Sequence, residues 1–301
     1  MKKGFKRIIT SLKGRLSFKE RLEDHTTFRI GGVPVVWFEP VSLEDLARAL
    51  RLFRGAKIKT FIIGGGSNIL AKEGLIDMAV IRLSAPFFKR LEFRNRLAVC
   101  GGGCSLSGLI KRCAKKGLFG LDGLYGIPGT VGGAIMMNAG PAKDKPIGSL
   151  VEWVKVMDYA GRVFVLKRVK LKFKYRYSGL SKYIILEAGF RLKKRRPDLI
   201  KKRMRDILRK RSAVLDYGFP SAGCIFKNPP SFKYTSGELL DRSGLKGLRV
   251  NGAQVSAKHA NFIINKKDAR FGDVIALIEL ERIIVKRYFG IWLEPEIKII
   301  G

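Results

Sequence analysis

The feature that most constrains the fold of this chain is an uncharged, glycine-rich stretch in an otherwise very basic sequence. The stretch runs from Tyr125 to Gly140 and contains five glycines. Glycine weakens helices and strands, because fixing its backbone on folding costs more entropy than for any other residue. Such a run therefore indicates either a tightly packed turn or a backbone that a flat or anionic ligand approaches closely. Glycine content alone leaves both interpretations open.

The charge of the chain is extreme, and two explanations compete for it. The 301 residues, enough for two domains, carry 60 Lys and Arg against 25 Asp and Glu, a net charge of +35. Such a charge attracts nucleic acid, anionic membranes or phosphate-bearing small molecules. However, Gln254 is the only glutamine, and scarce glutamine beside abundant lysine and arginine is typical of heat-adapted proteins. No nucleic-acid motif accompanies the charge, so heat adaptation is favoured over a dedicated nucleic-acid partner.

The cysteines and the apolar segments exclude several other classes of protein. The four cysteines form no C-x-x-C pair, which indicates a reducing compartment, and they lack the nearby histidines of a zinc site. The basic N-terminal arm, residues 1–20, begins like a secretion signal, but its apolar part is short and no cleavage site follows. Glycines and prolines interrupt the uncharged run 123–142, which is otherwise long enough to span a bilayer. We expect a cytoplasmic protein with no metal and no transmembrane segment, and a monomer is favoured.

Local patterns predict helices and strands mixed along the chain. Ser42 is predicted to cap a helix that ends near Gly55. Residues 25–32 predict a strand that runs into a glycine turn, and strict alternation over 170–176 predicts a half-exposed strand with a basic face. Residues 191–211 include twelve basic and two acidic side chains and predict a basic amphipathic helix at a domain boundary. For that helix, a solvated surface is favoured over a binding surface.

A second glycine cluster follows a predicted strand at Thr60–Ile63. A strand that enters a glycine loop is the usual context for backbone N–H groups that bind phosphate. No G-K-S/T follows, and Ile69 stands where a dinucleotide fingerprint requires its last glycine, so neither common phosphate motif is complete. An anion-binding nest and a simple hairpin turn remain open, and two side-chain donors favour the nest. The cluster consists of Gly64, Gly65, Gly66, Ser67 and Asn68.

Seven short motifs, taken together, resemble one known family. In chain order they are Thr27–Gly32, Gly64–Asn68, Gly126–Ala134, Tyr175–Ser178, Ala222–Pro229, Lys258–Phe262 and Leu293–Ile297. From about residue 21 to its last residue, the chain resembles the UDP-N-acetylenolpyruvoylglucosamine reductases, which are flavoenzymes of bacterial peptidoglycan synthesis. The glycine motif at 126–134 alone would indicate only the wider flavoprotein superfamily. The motifs around Cys224 and Glu296 make the resemblance specific.

The resemblance implies an α+β fold and a reaction in two halves. It implies a PCMH-type FAD-binding region of two α+β subdomains over residues 21–193, followed by a smaller α+β substrate-binding domain over 194–301. FAD is expected to be bound and NADPH to serve as cosubstrate. NADPH reduces the flavin and leaves, and the enolpyruvyl ether of UDP-N-acetylglucosamine then receives a hydride and a proton to give UDP-N-acetylmuramate. The chain between Arg176 and Cys224 is too short for the substrate-capping insertion of one subclass, so it resembles the subclass without it.

Three residues match the catalytic positions of the family. The planar fork of Arg176 suits a carboxylate-bearing enolate, whose charge a fixed cation stabilises. Cys224 matches the proton donor; most members carry serine there, and a thiol is the stronger acid. Glu296 matches the acid that polarises the carboxylate or assists proton movement, with a pKa tuned by burial. Without the resemblance, the three would be interpreted as a surface cation, a small buried residue and a surface charge.

The resemblance also assigns binding residues. Those expected at the flavin are Gly64, Gly65, Gly66, Ser67, Asn68, Gly126, Pro128, Gly129, Thr130, Gly132, Gly133 and Asn138. Those expected at the substrate are Tyr175, Lys227, Asn228 and Gln254. The segment 141–145 departs from the family pattern, in which Ala-Tyr-Gly is more common. Two alternatives remain: another FAD oxidoreductase of the same superfamily, or a basic protein that binds nucleic acid or membranes.

Overall fold

The computed structural model describes residues 9, 11–141 and 145–301. Residues 1–8 and 10 of the basic arm, and the centre of the atypical segment 141–145, therefore lie outside the described residues. Within the described ranges, no helix is both long enough and apolar enough to cross a membrane.

The helices begin and end largely where local signals predict. Ser42 Oγ accepts a hydrogen bond from the Asp45 amide and so caps the first helix, as predicted. The last helix ends at Gly290, whose φ of 73° lies in the left-handed region that glycine adopts without strain. In the described part of the chain the α-helices are α1 (Leu43–Gly55), α2 (Leu106–Lys115), α3 (Val131–Met136), α4 (Pro197–Val214), α5 (Ser236–Arg242) and α6 (Phe271–Phe289).

The strands are mostly short and alternate with these helices. They are β1 (Arg15–Ser17), β2 (Val33–Glu39), β3 (Lys59–Ile63), β4 (Ile69–Ala71), β5 (Leu75–Arg82), β6 (Leu91–Arg94), β7 (Leu97–Gly101), β8 (Leu118–Phe119), β9 (Val151–Asp158), β10 (Val163–Lys167), β11 (Tyr183–Arg191), β12 (Lys193–Lys194), β13 (Ser221–Cys224), β14 (Arg249–Val250), β15 (Ala253–Val255), β16 (Phe262–Asn265) and β17 (Lys298–Ile300). The longest of them, β11, pairs antiparallel with β9.

The first compact unit comprises residues 1–18, 35–65 and 77–209. One of its sheets has the order β1-β2-β5-β3, and the other is an antiparallel sheet of order β10-β9-β11-β7-β6. Helix α1 buries its apolar stripe in the core of the first sheet, where Phe38 and Phe53 meet edge to face at 6.4 Å. Burial of one such side chain contributes about 1.5–3 kcal/mol. A second core joins α2, α3 and the start of α4 to the antiparallel sheet, through residues such as Ile110, Ile135 and Phe190.

The second compact unit is assembled from three separate parts of the chain, residues 19–34, 66–76 and 210–301. Its main sheet is antiparallel, with the order β13-β16-β15-β14. Helix α6 contributes Leu277, Ile278 and Val285 to a core that also holds Phe28 from the first part and Leu70 from the second. Strands β4 and β17 pair in parallel within the same unit. The division into domains 21–193 and 194–301 stays a prediction.

The predicted strand over residues 25–32 is wrong. The chain forms a short 3-10 helix at Leu22–His25 and then an irregular turn. Thr26 Oγ1 donates to the Ile30 carbonyl at 3.1 Å, and Arg29 has a φ of 55°, outside the extended region. Threonine side chains that bond to nearby backbone groups compete with sheet formation, and the extended pattern is lost here for that reason.

The predicted basic strand over 170–176 is also wrong. Lys174 and Tyr177 exchange backbone hydrogen bonds of 2.8 and 3.1 Å around a two-residue turn formed by Tyr175 and Arg176. Arg176 has a φ of 50°, which no β-strand residue adopts. The alternation of apolar and basic residues reflects the burial of Leu171 and the partial burial of Phe173 without a neighbouring strand. Periodicity reports exposure, and it indicates a strand only where a partner is available.

Candidate active site

The two glycine loops meet inside the first unit. A Cβ atom added to Gly64 would lie 2.5 Å from Thr130 Oγ1, and one added to Gly65 would lie 2.7 Å from the Gly129 Cα. Real Cβ atoms do not approach other atoms this closely. The contact between the loops therefore requires glycine at both positions, and it brings together two predicted cofactor segments that are far apart in sequence.

Backbone N–H groups remain available in both glycine loops, although others in the second loop are used within the protein. In the second loop, the amides of Val131 and Gly132 donate to the carbonyls of Cys104 and Gly102 at 2.9 and 2.8 Å. Gly133 N donates to the Thr130 hydroxyl at 3.2 Å, which caps α3. The amides of Gly64 and Gly65 in the first loop, and those of Gly126, Gly129 and Thr130 in the second, donate to no other residue that the structure describes. Available N–H groups of the kind that bind anions thus lie in both loops.

The turn that carries Arg176 is braced against the end of the glycine-rich stretch. Arg176 Nη1 donates to the Gly140 carbonyl at 2.7 Å, and its guanidinium carbon lies 5.0 Å from the centre of the Tyr175 ring. Asn138, only 3% exposed, donates from Nδ2 to the Lys174 carbonyl at 2.7 Å and accepts from the Gly148 amide at 3.0 Å. The burial of Asn138 disfavours it as a cofactor ligand and indicates that its side chain holds the base of the turn. Its predicted role at the cofactor stays a prediction.

Cys224 and Glu296 lie on neighbouring segments of the second unit. Cys224 is the last residue of β13, and the next residue, Ile225, accepts a 2.7 Å hydrogen bond from the Glu296 amide. Two residues after Ile225, the Lys227 amide donates to the Glu294 carbonyl at 2.9 Å. The antiparallel register of these two segments therefore places the predicted proton donor and the predicted acid close together in the chain trace.

The last residue of the first glycine loop contacts the same place. Asn68 Nδ2 donates to the backbone carbonyl of Glu296 at 3.1 Å, and the Asn68 carbonyl accepts from the Lys298 amide at 2.9 Å. A Cβ atom on Gly223 would lie 4.0 Å from the Ser67 carbonyl oxygen. Within the second unit, the structure therefore brings Ser67, Asn68 and Glu296 to the end of β13.

The predicted substrate residues of this unit have partners within the protein. Lys227 forms an ion pair with the carboxylate of Glu294. Asn228 accepts from the amide of Ser236 at 3.1 Å, at the start of α5. Gln254 donates to the Gly247 carbonyl at 3.0 Å, and its register with Ile264 places it level with Ser221 in the sheet and not with Cys224. Lys227 and Asn228 therefore lie nearer to the cysteine along the chain trace than Gln254 does.

Comparison with known proteins identifies the family. Residues 215–300 match the model of the UDP-N-acetylenolpyruvoylglucosamine reductase C-terminal domain, and residues 34–167 match an FAD binding domain. A UDP-N-acetylenolpyruvoylglucosamine reductase of Caldanaerobacter subterraneus subsp. tengcongensis is 38% identical over 96% of this chain and 95% of its own. The chain belongs to the UDP-N-acetylenolpyruvoylglucosamine reductase family.

Other relatives agree with this membership. The reductase of Syntrophobacter fumaroxidans is 40% identical over 94% of this chain and 83% of its own. A solved UDP-N-acetylenolpyruvylglucosamine reductase from Thermus caldophilus is 34% identical, with a TM-score of 0.81, and the match covers 96% of this chain and 100% of that one. The glucose dehydrogenase Phl p 4.0202 shares the fold alone, at 16% identity and a TM-score of 0.52. The predicted family and the predicted fold class are confirmed.

The cysteines of this family member fall into two groups. Cys100, Cys104 and Cys113 are buried in the core of the first unit, whereas Cys224 is only partly buried. Burial raises the pKa of the Cys113 thiol to about 12, because the apolar core disfavours the thiolate. Cys224 therefore stands apart from the structural cysteines on the basis of exposure.

Sequence reasoning missed two residues in the second unit. Asn261 brackets the backbone of Phe226, accepting from its amide and donating to its carbonyl, both at 2.8 Å, and so fixes the chain two residues after Cys224. Glu281 is fully buried in α6, and neither carboxyl oxygen has a hydrogen-bond partner among the described residues. The role of Asn261 depends on a contact with a residue distant in sequence, so no local pattern indicates it. Glu281 could have been noticed, because helical spacing places it between Ile278 and Val285 on the apolar stripe.

Proposed function

We propose that this protein reduces the enolpyruvyl ether of UDP-N-acetylglucosamine to UDP-N-acetylmuramate, with bound FAD and with NADPH as the reductant, in peptidoglycan synthesis. The observation that carries the proposal is the register between the two catalytic segments, in which the Glu296 amide bonds to the residue after Cys224 at 2.7 Å. Family membership over nearly the whole chain supports the same reaction.

The glycine loops fit the cofactor. The amides of Gly64 and Gly65 are available, and neither residue can carry a side chain because the contact between the loops excludes a Cβ atom. Backbone N–H groups in such a turn suit the pyrophosphate of a dinucleotide. We assign the phosphate contacts to backbone amides of the Gly64–Asn68 loop, and not to its side chains. We assign the wall of the site to Gly126, Pro128, Gly129, Thr130 and Gly133. When bound at these loops, FAD would supply the hydride for the reduction, with NADPH as the source of electrons.

Arg176 stabilises the negative charge that develops on the substrate. When a hydride reaches the methylene carbon, the electron pair of the double bond moves onto the carboxylate-bearing carbon and its carboxylate. A guanidinium fixed opposite that carboxylate binds the enolate more strongly than the starting ether, which lowers the barrier. The bond to the Gly140 carbonyl and the contact with Tyr175 hold the guanidinium plane in place before the substrate arrives.

Cys224 and Glu296 complete the reduction. The Cys224 thiol donates its proton to the carbon that carries the new electron pair, and the thiolate that remains is reprotonated from solvent. Glu296 polarises the substrate carboxylate or relays the proton, and its backbone is fixed next to the donor's segment. Lys227, Asn228, Gln254 and Tyr175 are proposed to bind the UDP-sugar; the ion pair of Lys227 with Glu294 would have to open or to include the ligand.

Three further statements belong to the proposal. We propose a monomer, a cytoplasmic location and a functional division into residues 21–193 and 194–301. The absence of any C-x-x-C pair supports a reducing compartment. Light scattering during size exclusion measures the mass in solution, and a dimeric mass would contradict the monomer.

The central experiment is an anaerobic two-step assay on purified protein. We expect a yellow protein whose flavin is bleached by NADPH and recovers its colour only when the enolpyruvyl UDP-sugar is added, with a product heavier by two hydrogen atoms. Colourless protein that cannot be reconstituted with FAD would contradict the proposal. Recovery driven by an unrelated acceptor and not by the UDP-sugar would identify a different flavin oxidoreductase.

A further inference from the structure

We propose that Asn68, the last residue of the first glycine loop, is a positioning residue for Glu296. Its side-chain amide holds the backbone of the acid in place while the loop in front of it faces the cofactor. The inference rests on the proposed function for its effect on the reaction, but the contact itself lies within one compact unit and can be tested separately.

The backbone around Glu296 is held from both sides. On one side the Glu296 amide donates to Ile225 at 2.7 Å. On the other side Asn68 Nδ2 donates to the Glu296 carbonyl at 3.1 Å. Two residues on, the Lys298 amide donates to the Asn68 carbonyl at 2.9 Å, where β17 begins to pair with β4. Asn68 therefore bonds through both its side chain and its backbone to the segment that carries the acid.

The support beneath Asn68 is rigid. Gly66 has a φ of 64°, and a Cβ atom there would overlap the His25 carbonyl. The Gly66 carbonyl accepts from the Thr27 amide at 3.1 Å. After Asn68, Ile69 and Leu70 enter a fully buried strand. Because the backbone on both sides of Asn68 is anchored, we expect its side chain to hold Glu296 in place and not to move with it.

Only a side chain with a donor can make this contact. A carbonyl oxygen accepts hydrogen bonds, so the Asn68 Nδ2 group suits it, whereas the isosteric aspartate would present a second oxygen and repel it. The rate of a proton transfer falls steeply when the catalytic acid is displaced, because the transfer depends on the hydrogen-bond distance. The step sensitive to Asn68 is therefore substrate reduction, and not the earlier reduction of the flavin by NADPH.

The kinetic test compares Asn68→Ala and Asn68→Asp with the wild-type holoenzyme in stopped flow, with FAD in excess. We expect flavin reoxidation by the UDP-sugar ether to slow about tenfold in Asn68→Ala and further in Asn68→Asp. Flavin reduction by NADPH should stay within about twofold. Because Asn68 acts through Glu296, the double variant Asn68→Ala/Glu296→Gln should be no slower than Glu296→Gln alone. Losses that multiply, or that affect both half-reactions equally, would overturn the proposal.

A control variant removes side-chain-to-backbone bonds of another asparagine in the same unit. Asn265 Nδ2 donates to the Phe28 carbonyl at 3.2 Å, and Asn265 Oδ1 accepts from the Ala269 amide at 3.0 Å. Asn265→Ala therefore deletes two such bonds outside the proposed site. We expect both half-reactions of this variant to match the wild type. Selective slowing in Asn265→Ala as well would show that any loss of an asparagine in this unit has the same effect, and would refute a specific role for Asn68.

Hydrogen exchange tests the contact without the reaction. In Asn68→Ala, amides over residues 296–298 should exchange at least about tenfold faster than in the wild type, whereas Asn265→Ala should leave them unchanged. Unchanged exchange in Asn68→Ala would refute the positioning role. A wild-type enzyme that the UDP-sugar ether does not reoxidise would contradict the proposed function alone, and exchange would then decide the role of Asn68.

Discussion

Replacing Glu281 with methionine should stabilise this protein, and the gain should grow with pH. Glu281 lies on the face of α6 that buries Leu277, Ile278 and Val285, it is 0% exposed, and its carboxyl oxygens lack hydrogen-bond partners among the described residues. Burial raises the pKa of this carboxyl well above its usual value, because the apolar core disfavours the charged form. Methionine has nearly the same length and shape without the polar group.

The magnitude follows from proton binding. The unfolded chain releases the Glu281 proton near pH 4.3, whereas the folded protein retains it to higher pH, so folding requires proton uptake between the two pKa values. Stability then falls with rising pH by about 1.4 kcal/mol per unit from about pH 4.3 up to the folded pKa. A buried polar group without a hydrogen-bond partner costs about 1–3 kcal/mol. We therefore expect Glu281→Met to gain about 1–3 kcal/mol at pH 7, and the gain to grow with pH within this window.

Urea unfolding of the holoenzyme between pH 4.5 and 8, at constant ionic strength, measures this difference. The control is Glu279→Met on the same helix, where the carboxylate is 48% exposed and pairs with Arg282 at 2.7 Å. We expect the control to change the free energy of unfolding by less than about 0.5 kcal/mol at every pH. A gain for Glu281→Met that does not change with pH, or a net loss of stability at pH 7, would refute the reasoning.

Three other variants test the proposed site. Cys224→Ser should retain turnover, whereas Cys224→Ala should lose about 10²–10⁴-fold in substrate reduction while NADPH still reduces the flavin; equal loss in both steps would indicate a structural role. Arg176→Ala should slow substrate reduction by about 10²–10³-fold and leave flavin reduction within a few-fold, as stopped flow can separate. Gly65→Ala places a methyl group 2.7 Å from the Gly129 Cα, so we expect weaker FAD retention after desalting, and full retention would contradict the packing argument.

Local features of this fold could be predicted from the sequence because their causes are local. Helix α1 is an example, since Ser42 caps it and a helical apolar stripe follows. The turn at Arg176 could not be predicted from residues 170–176 alone. Their alternation is compatible with a strand, and the observed turn depends on Asn138, which bonds the Lys174 carbonyl from thirty-six residues away.

The candidate site shows the same limit. Residue type and family motif led to Cys224 and Glu296 as predicted catalytic residues. The contact between Asn68 and Glu296 could not be predicted, because the carbonyl that Asn68 binds lies 228 residues later. Asn68 and Asn138 were both expected at the cofactor as hydrogen-bond donors. Instead, the side chain of Asn68 donates to the backbone carbonyl of Glu296, and that of Asn138 donates to the carbonyl of Lys174, two residues before Arg176. An amide donor is equally suited to ligand and backbone, so residue type cannot distinguish the two.

The parallel pairing of β4 with β17 has a consequence for the order in which the protein can be made. The two strands join Ile69–Ala71 to Lys298–Ile300, so the ribosome synthesises more than two hundred residues between them. Until then β4 is an apolar strand with an open edge, the kind of segment on which nascent chains aggregate. Residues 77–209 of the first unit can fold during this delay, since its antiparallel sheet needs nothing from the later chain. The hydrogen bonds of Asn68 with Glu296 and Lys298 are thus among the last contacts to form, long after the glycine loop itself has been synthesised.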